Sequence, residues 1–164
     1  MLGHATLAER IAYGRPIDPT EDDSIRVAPR PGIALLGRIA ISVIFFVSGF
    51  AKLADLSGTA QVMAAAGIPQ PASLAFIAGI GEVLGAASIA LGLLTRVGAL
   101  GLLLYLIPTT LIFHGFWSYT GAAQQMQLIE LLKNLAIMGG LATLVAYGAG
   151  GYSADARVRR PMQP

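Results

Sequence analysis

The sequence predicts an all-α polytopic membrane protein, a bundle of four transmembrane helices. Of its 164 residues, 55% are hydrophobic and 12% are charged, whereas about a quarter of the residues in a soluble domain are charged. The mean hydropathy is +0.68, and the apolar residues form four long runs. Roughly 20 apolar helical residues cross a bilayer core about 30 Å thick. Because the runs do not alternate as barrel strands do, each is predicted to cross as a helix.

The predicted spans cover residues 33–53, 72–94, 97–117 and 126–147. With their connections they form one membrane unit over residues 32–150, which leaves no room for a separate soluble domain. Residues 1–31 are predicted to be a cytoplasmic tail with a short helix, whose start is marked by a capping box of Thr6 and Glu9. Residues 151–164 are predicted to be a second cytoplasmic tail.

The distribution of basic residues predicts this orientation, because short cytoplasmic loops are enriched in Lys and Arg. One side of the membrane would collect the basic residues of both tails and of the connection between spans two and three: Arg26, Arg30, Arg96, Arg157, Arg159 and Arg160. Lys52 lies on the opposite side. Both termini are therefore expected in the cytoplasm. The chain has no basic patch with interleaved aromatic residues, so a nucleic acid partner is not expected.

The connections between spans carry their own signals. After span one, Ser57 is a predicted helix cap, and Gly67 followed by Pro69 is a predicted stop, so a short helix is expected at the outer surface. Pro108 lies inside span three and removes one backbone hydrogen bond there.

Polar residues fall at defined depths in the spans. At a rise of 1.5 Å per residue, Glu82 lies about 15 Å deep, near the middle of the bilayer. Glu130, Lys133 and Asn134 share one face of span four because they are three and four residues apart. The expected result is a polar pocket in the outer half of the bundle, to which every span contributes: Lys52, Glu82, His114, Glu130, Lys133 and Asn134.

These residues allow two interpretations. A charge at mid-bilayer costs at least about 2.5 kcal/mol, so Glu82 should face the bundle interior rather than lipid. There it either pairs with Lys52 or Lys133 to lock the helices together, or belongs to a binding or proton-handling site. Glu130 and Lys133 fit a local ion pair as well as a pocket. His114 fits an interfacial aromatic belt as well as a site.

Two arginines are interpreted as cytoplasmic anchors: Arg38, as a snorkelling side chain in the inner half of span one, and Arg96, between spans two and three. Several chemistries are excluded by composition. The chain has no cysteine and two histidines, one of them in the N-terminal tail, so it offers no ligands for an iron–sulfur cluster or an internal bis-histidine haem. No metal-ligand cluster, phosphate loop or nucleophile elbow is found. No catalytic residue is assigned, and an autonomous enzyme is not expected.

Several short motifs occur in order along the chain: "SGFAKL" in span one, "GIP" at Gly67, "GEVLG" and "GLLTR" between Gly81 and Arg96, "LLKNLAIMGG" in span four, and "GAGGYSAD" at the end. With Arg38 and His114, they resemble the DoxX family of small four-helix bacterial membrane proteins over about residues 32–155. The longer acidic tail before Gly32 lies outside this resemblance, and the final segment is looser than the family's glycine- and proline-containing pattern.

The resemblance implies a bacterial inner-membrane protein. Members of the family include the small membrane subunit of a thiosulfate:quinone oxidoreductase, so a quinone is an implied cofactor. Two functions remain open. The chain is an accessory or scaffold subunit of a larger, quinone-linked redox complex, with partner subunits in the bilayer. Alternatively, it is a small-molecule transporter or a quinone-binding membrane oxidoreductase with a polar pocket in the periplasmic half.

Overall fold

A computed structural model of the protein describes residues 30–158, and the predicted helix around Thr6 lies outside these residues. The helices are α1 (Pro31–Ala54), α2 (Leu56–Ala65), α3 (Pro71–Leu91), α4 (Thr95–Phe113), α5 (Gly121–Tyr147) and α6 (Ala154–Val158), with a 3-10 turn at Phe116–Ser118. Within the described chain, α1, α3, α4 and α5 are long and apolar enough to cross a membrane, and no strand occurs. The predicted fold class is confirmed.

The boundary between α3 and α4 differs from the predicted one. The second span was expected to reach Leu94, but α3 ends at Leu91 because Gly92 adopts a left-handed conformation with φ of 68°. The amide of Leu93 then donates to the carbonyl of Ser88 at 3.0 Å, and the amide of Gly92 donates to Ile89 at 3.2 Å. These two bonds form a Schellman motif, which ends a helix sharply.

The short helix after span one is present as α2, but its predicted cap was wrong. Asp55, not Ser57, is the N-cap residue, and its carboxylate accepts a hydrogen bond from the amide of Gly58 at 2.8 Å. The chain leaves α1 directly into α2, so Asp55 is the one residue between the two helices, and Ser57 falls in the first turn. There the Ser57 hydroxyl donates to the Asp55 carboxylate at 3.1 Å. The predicted stop holds, since Gly67 has φ of 74°.

Small residues bring the spanning helices together. α1 packs mainly against α3 and α4 mainly against α5. A Cβ atom at Gly79 would lie 2.8 Å from Leu53, and one at Gly49 would lie 2.9 Å from the carbonyl of Gly79, so α1 and α3 approach closely because both positions are glycine. α1 and α5 contact each other lightly, at Gly140 beside Ile41.

The two ends of the bundle are built differently. The end where α1 and α4 begin, here called the Arg38 end, contains the apolar core: Phe45, Ala86, Ile89, Ala99, Leu102, Leu106 and Leu141. Residues 151–158 fold back onto this end, where the carboxylate of Asp155 accepts hydrogen bonds from the amides of Leu94 at 2.8 Å and Thr95 at 3.1 Å. The opposite end, here called the Lys52 end, is where α1 ends and α5 begins.

Candidate functional site

A cavity of about 690 Å³ lies at the Lys52 end of the bundle. α2 closes one side of it through Thr59, Val62 and Met63, and the spanning helices form the rest of the wall. Its lining is mostly apolar. The six residues predicted from depth all line this cavity: Lys52, Glu82, His114, Glu130, Lys133 and Asn134.

The most buried of the six polar residues is Glu82, which forms an ion pair with Lys52. The Lys52 Nζ atom lies 3.1 Å from each oxygen of the Glu82 carboxylate and donates to the hydroxyl of Ser48 at 2.6 Å. Glu82 is 3% exposed. Of the two cations that were expected to pair with Glu82, Lys52 is therefore the one that does so, and the pair joins α1 to α3.

Tyr105 of α4 is a cavity residue that the sequence analysis missed. Its hydroxyl lies beside the carboxylate of Glu82 and the hydroxyl of Thr109. Thr109 in turn donates to the carbonyl of Tyr105 at 2.8 Å, next to Pro108. The available signal in the sequence was a hydroxyl-bearing residue in the middle of an apolar span. The prediction from depth rested mainly on charged groups and so did not include Tyr105. Lys52, Glu82 and Tyr105 thus connect three helices at the floor of the cavity.

The α5 side of the cavity carries a second ion pair and a buried amide. Lys133 pairs with Glu130 one turn earlier, and both side chains are partly exposed, at 44% and 35%. Asn134 is 7% exposed and donates to the hydroxyl of Thr110 at 3.1 Å. Thr110 in turn donates to the carbonyl of Leu106, so this amide–hydroxyl contact links α5 to α4. Thr110 was also missed.

His114 closes the upper part of the cavity. It follows the last residue of α4, and its Nδ1 atom lies 2.9 Å from the Oε1 atom of Gln127 in α5. Gln127 was not predicted as a partner. Phe116 and Trp117 stack edge to face just after it, with ring centroids 5.4 Å apart. His114 therefore lines the cavity and also borders an aromatic group.

The two predicted anchors lie at the Arg38 end, away from the cavity. The prediction that Arg38 snorkels towards water is wrong, because the side chain is 1% exposed and its Nη2 atom donates to the carbonyl of Tyr152. The fold-back of residues 151–158 supplies that acceptor inside the protein, while the Nε and Nη1 atoms of Arg38 are buried without a hydrogen-bond partner among the described residues. Arg96 is exposed and lies beside Gly148 at the end of α5, where a cation is favoured by the helix dipole.

The fold and the site together define a small four-helix membrane protein with a mostly apolar cavity that carries six polar side chains towards one end of its bundle. The sequence model of the DoxX family matches residues 33–115, and the chain belongs to this family.

Two relatives are similar over most of their length. The inner membrane protein YphA of Escherichia coli (strain K12) is 39% identical over 130 residues, which cover 79% of this chain and 93% of the relative. The inner membrane protein YqjF of the same organism is 31% identical over 121 residues, covering 74% of this chain and 88% of the relative. No solved structure matches the chain.

Proposed function

We propose that the protein is a multi-pass inner-membrane subunit that binds a small, mainly apolar molecule with a neutral polar head. The proposed class of ligand is a quinone. The observation that carries this proposal is the convergence of six polar side chains on one cavity of about 690 Å³. Five of them lie in α1, α3 and α5, and the sixth, His114, directly follows α4. Ligand sites typically combine apolar walls with a few converging polar groups.

The charges of the cavity favour a neutral ligand. Lys52 is paired with Glu82, and Lys133 is paired with Glu130, so the two cations and two anions compensate each other. A ligand with a net charge would add an uncompensated charge at this depth, which is costly in a membrane. A head with carbonyl or hydroxyl groups can instead share hydrogen bonds with the donors already present on Lys52, Tyr105 and Asn134.

The route into the cavity supports an apolar ligand. α1 and α5 contact each other lightly, at Gly140 beside Ile41, and Val47 of α1 and Ile137 of α5 both line the cavity. Val47 is 66% exposed. A molecule dissolved in the bilayer can therefore reach the polar floor laterally, without crossing water.

The proposal also includes partner subunits that carry out electron transfer. The chain contains no cysteine, and we assign electron transfer to partner subunits in a quinone-linked complex, as the family resemblance implies. The polar tail of residues 1–31 is the proposed contact with such a partner. Purification in mild detergent tests this: deletion of residues 1–28 should release co-purifying subunits, whereas a deletion that retains them would remove the tail from the proposal.

Ligand binding is tested with the single tryptophan of the chain, Trp117, which lies near His114. A tail-less benzoquinone titrated into the detergent-solubilised protein should quench its fluorescence saturably. Asn134→Leu should weaken binding by about tenfold, equivalent to about 1.4 kcal/mol, because it removes a buried polar group while keeping the volume similar. Arg96→Gln, at the far end, is the control and should bind normally. Quenching that does not saturate, or that is equal in the wild type and Asn134→Leu, would rule out this site.

A further inference from the structure

A second cavity, of about 630 Å³, lies between α3 and α4 on the side towards the Arg38 end. We call it the α3–α4 groove. Its lining is almost entirely apolar: the hydroxyl of Ser88 donates to the carbonyl of Leu93 at 2.6 Å and is thereby satisfied. The floor is closed by contacts at glycine, since a Cβ atom at Gly85 would lie 2.6 Å from Leu102. Above this floor the groove is open, because a Cβ atom at Gly81 or Gly101 would meet nothing within 4 Å.

The groove adjoins the cavity at the Lys52 end. Four residues line both: Ile77, Ala78, Glu82 and Tyr105. Glu82 and Tyr105 are the polar groups at this junction, and Glu82 is 3% exposed there. A molecule whose polar head binds beside Glu82 and Tyr105 therefore has an apolar groove next to its head, along the surface between the two helices.

We propose that the α3–α4 groove holds the apolar tail of the ligand whose head binds in the polar cavity. This inference rests on the proposed function. From Tyr105 to Val97 the groove follows α4 for eight residues, or about 12 Å at the rise of an α-helix. The groove ends among Leu91, Leu93 and Leu94, so it fits an extended hydrocarbon chain and offers no group for a charged or strongly polar extension. The ligand class is thereby narrowed to a neutral head carrying a single long hydrocarbon tail.

Glycine-to-leucine variants are designed to fill the groove. A Cβ atom at Gly101 or Gly81 meets nothing within 4 Å, and leucine favours a helix over glycine, so both variants are expected to fold. Gly139→Leu is the matched control, because Gly139 lies in α5, also meets nothing within 4 Å, and lines neither the cavity nor the groove. The two probes are a tail-less benzoquinone and the same head with a decyl tail, titrated in one detergent.

The wild type and Gly139→Leu should bind the decyl probe more tightly than the tail-less probe, by the same factor. Gly101→Leu should lower affinity for the decyl probe about tenfold and leave the tail-less probe unchanged. Partition of the tail into detergent is common to all variants and cancels in this comparison. If Gly101→Leu and Gly139→Leu have the same affinity ratio, the groove holds ordinary bilayer lipid and the inference is wrong. If the tail-less probe does not bind the wild type, the proposed function itself fails, and with it this inference.

Discussion

Glu82 is a carboxylate near the middle of α3, and the structure shows why it is tolerated there. Its carboxylate is 3.1 Å from the Lys52 ammonium and lies beside the Tyr105 hydroxyl. Burial of an ion pair is costly, but removal of one partner leaves an uncompensated charge and costs more. The pair is therefore a structural link between α1 and α3 as well as part of the cavity floor.

Glu82→Ala should lower the free energy of unfolding by about 3 kcal/mol, the lower end of the range for a broken buried pair, because Lys52 retains 21% exposure. Glu130→Ala is the control, since it breaks a partly exposed pair worth about 0.5 kcal/mol. Thermal unfolding in detergent measures both. Equal losses in the two variants would show that Glu82 is not in a low-dielectric environment. Glu82→Gln should keep the fold with a smaller loss and weaken benzoquinone quenching of Trp117.

The charged residues of the cavity were predictable from their depth, and Asn134 was predicted because it shares one face of α5 with Glu130 and Lys133. All six predicted residues enter from the same end of the bundle, and helices that converge on one axis bring them together. Sequence could not choose between Lys52 and Lys133 as the partner of Glu82, because both lie at suitable depth. Tyr105, Thr110 and Gln127 were missed because neutral polar groups carry a small penalty in a span. Arg38 was misinterpreted because its acceptor, Tyr152, is 114 residues away.

Among the helices, α2 has an N-cap, Asp55, whose contribution to stability is predicted to depend on pH. The amide of Gly58, and secondly the hydroxyl of Ser57, hold the pKa of Asp55 below its ordinary value. A depressed pKa in the folded state means that the contribution to stability is present above the unfolded-state pKa and is lost as the pH falls through the folded-state pKa. The protection factor of the Gly58 amide against hydrogen exchange should therefore fall below about pH 4. Asp55→Ser keeps a neutral cap and should abolish this dependence; a fall in the protection factor that persists in that variant would assign it to another group.

The contact of the C-terminal segment with the start of α4 is predicted to stabilise the fold. Asp155 accepts from the amides of Leu94 and Thr95, which have no partner within their own helix. Asp155→Ala should cost about 1 kcal/mol, as loss of an N-cap does, and Asp155→Asn should cost less because one side-chain oxygen remains. Unfolding in detergent measures both. If both variants match the wild type, the fold-back of residues 151–158 does not stabilise the Arg38 end.

The four spanning helices could be predicted from hydropathy, but the residues at which they end could not. Runs of about 20 apolar residues are sufficient to predict a span, and all four were found. The exact ends depend on single backbone conformations, such as the left-handed Gly92 that stops α3 three residues early. Asp55 is the cap of α2 because α2 begins one residue after α1 ends. Hydropathy does not determine where α1 ends, so it did not predict this cap.

For the whole molecule, the positive-inside rule predicts that the Arg38 end faces the cytoplasm and the cavity opens towards the periplasmic side. Reporter fusions after Gln70 and Gln124 should be periplasmic, and fusions after Arg96 and Pro164 should be cytoplasmic. The reverse pattern would place Lys52, His114 and Glu130 on the cytoplasmic side, and the ligand would then be supplied from the inner leaflet.

We claim that the cavity at the Lys52 end binds a small neutral molecule. Photoaffinity labelling is the test of this claim. A benzoquinone carrying a diazirine, activated on the protein in mild detergent and mapped by mass spectrometry, should label cavity residues such as Met63, Phe113 and Ile137. Excess unmodified benzoquinone should suppress this labelling. Labelling spread over outward-facing residues such as Leu36 and Leu104, which are 70% and 59% exposed, and unaffected by the competitor would contradict the claim.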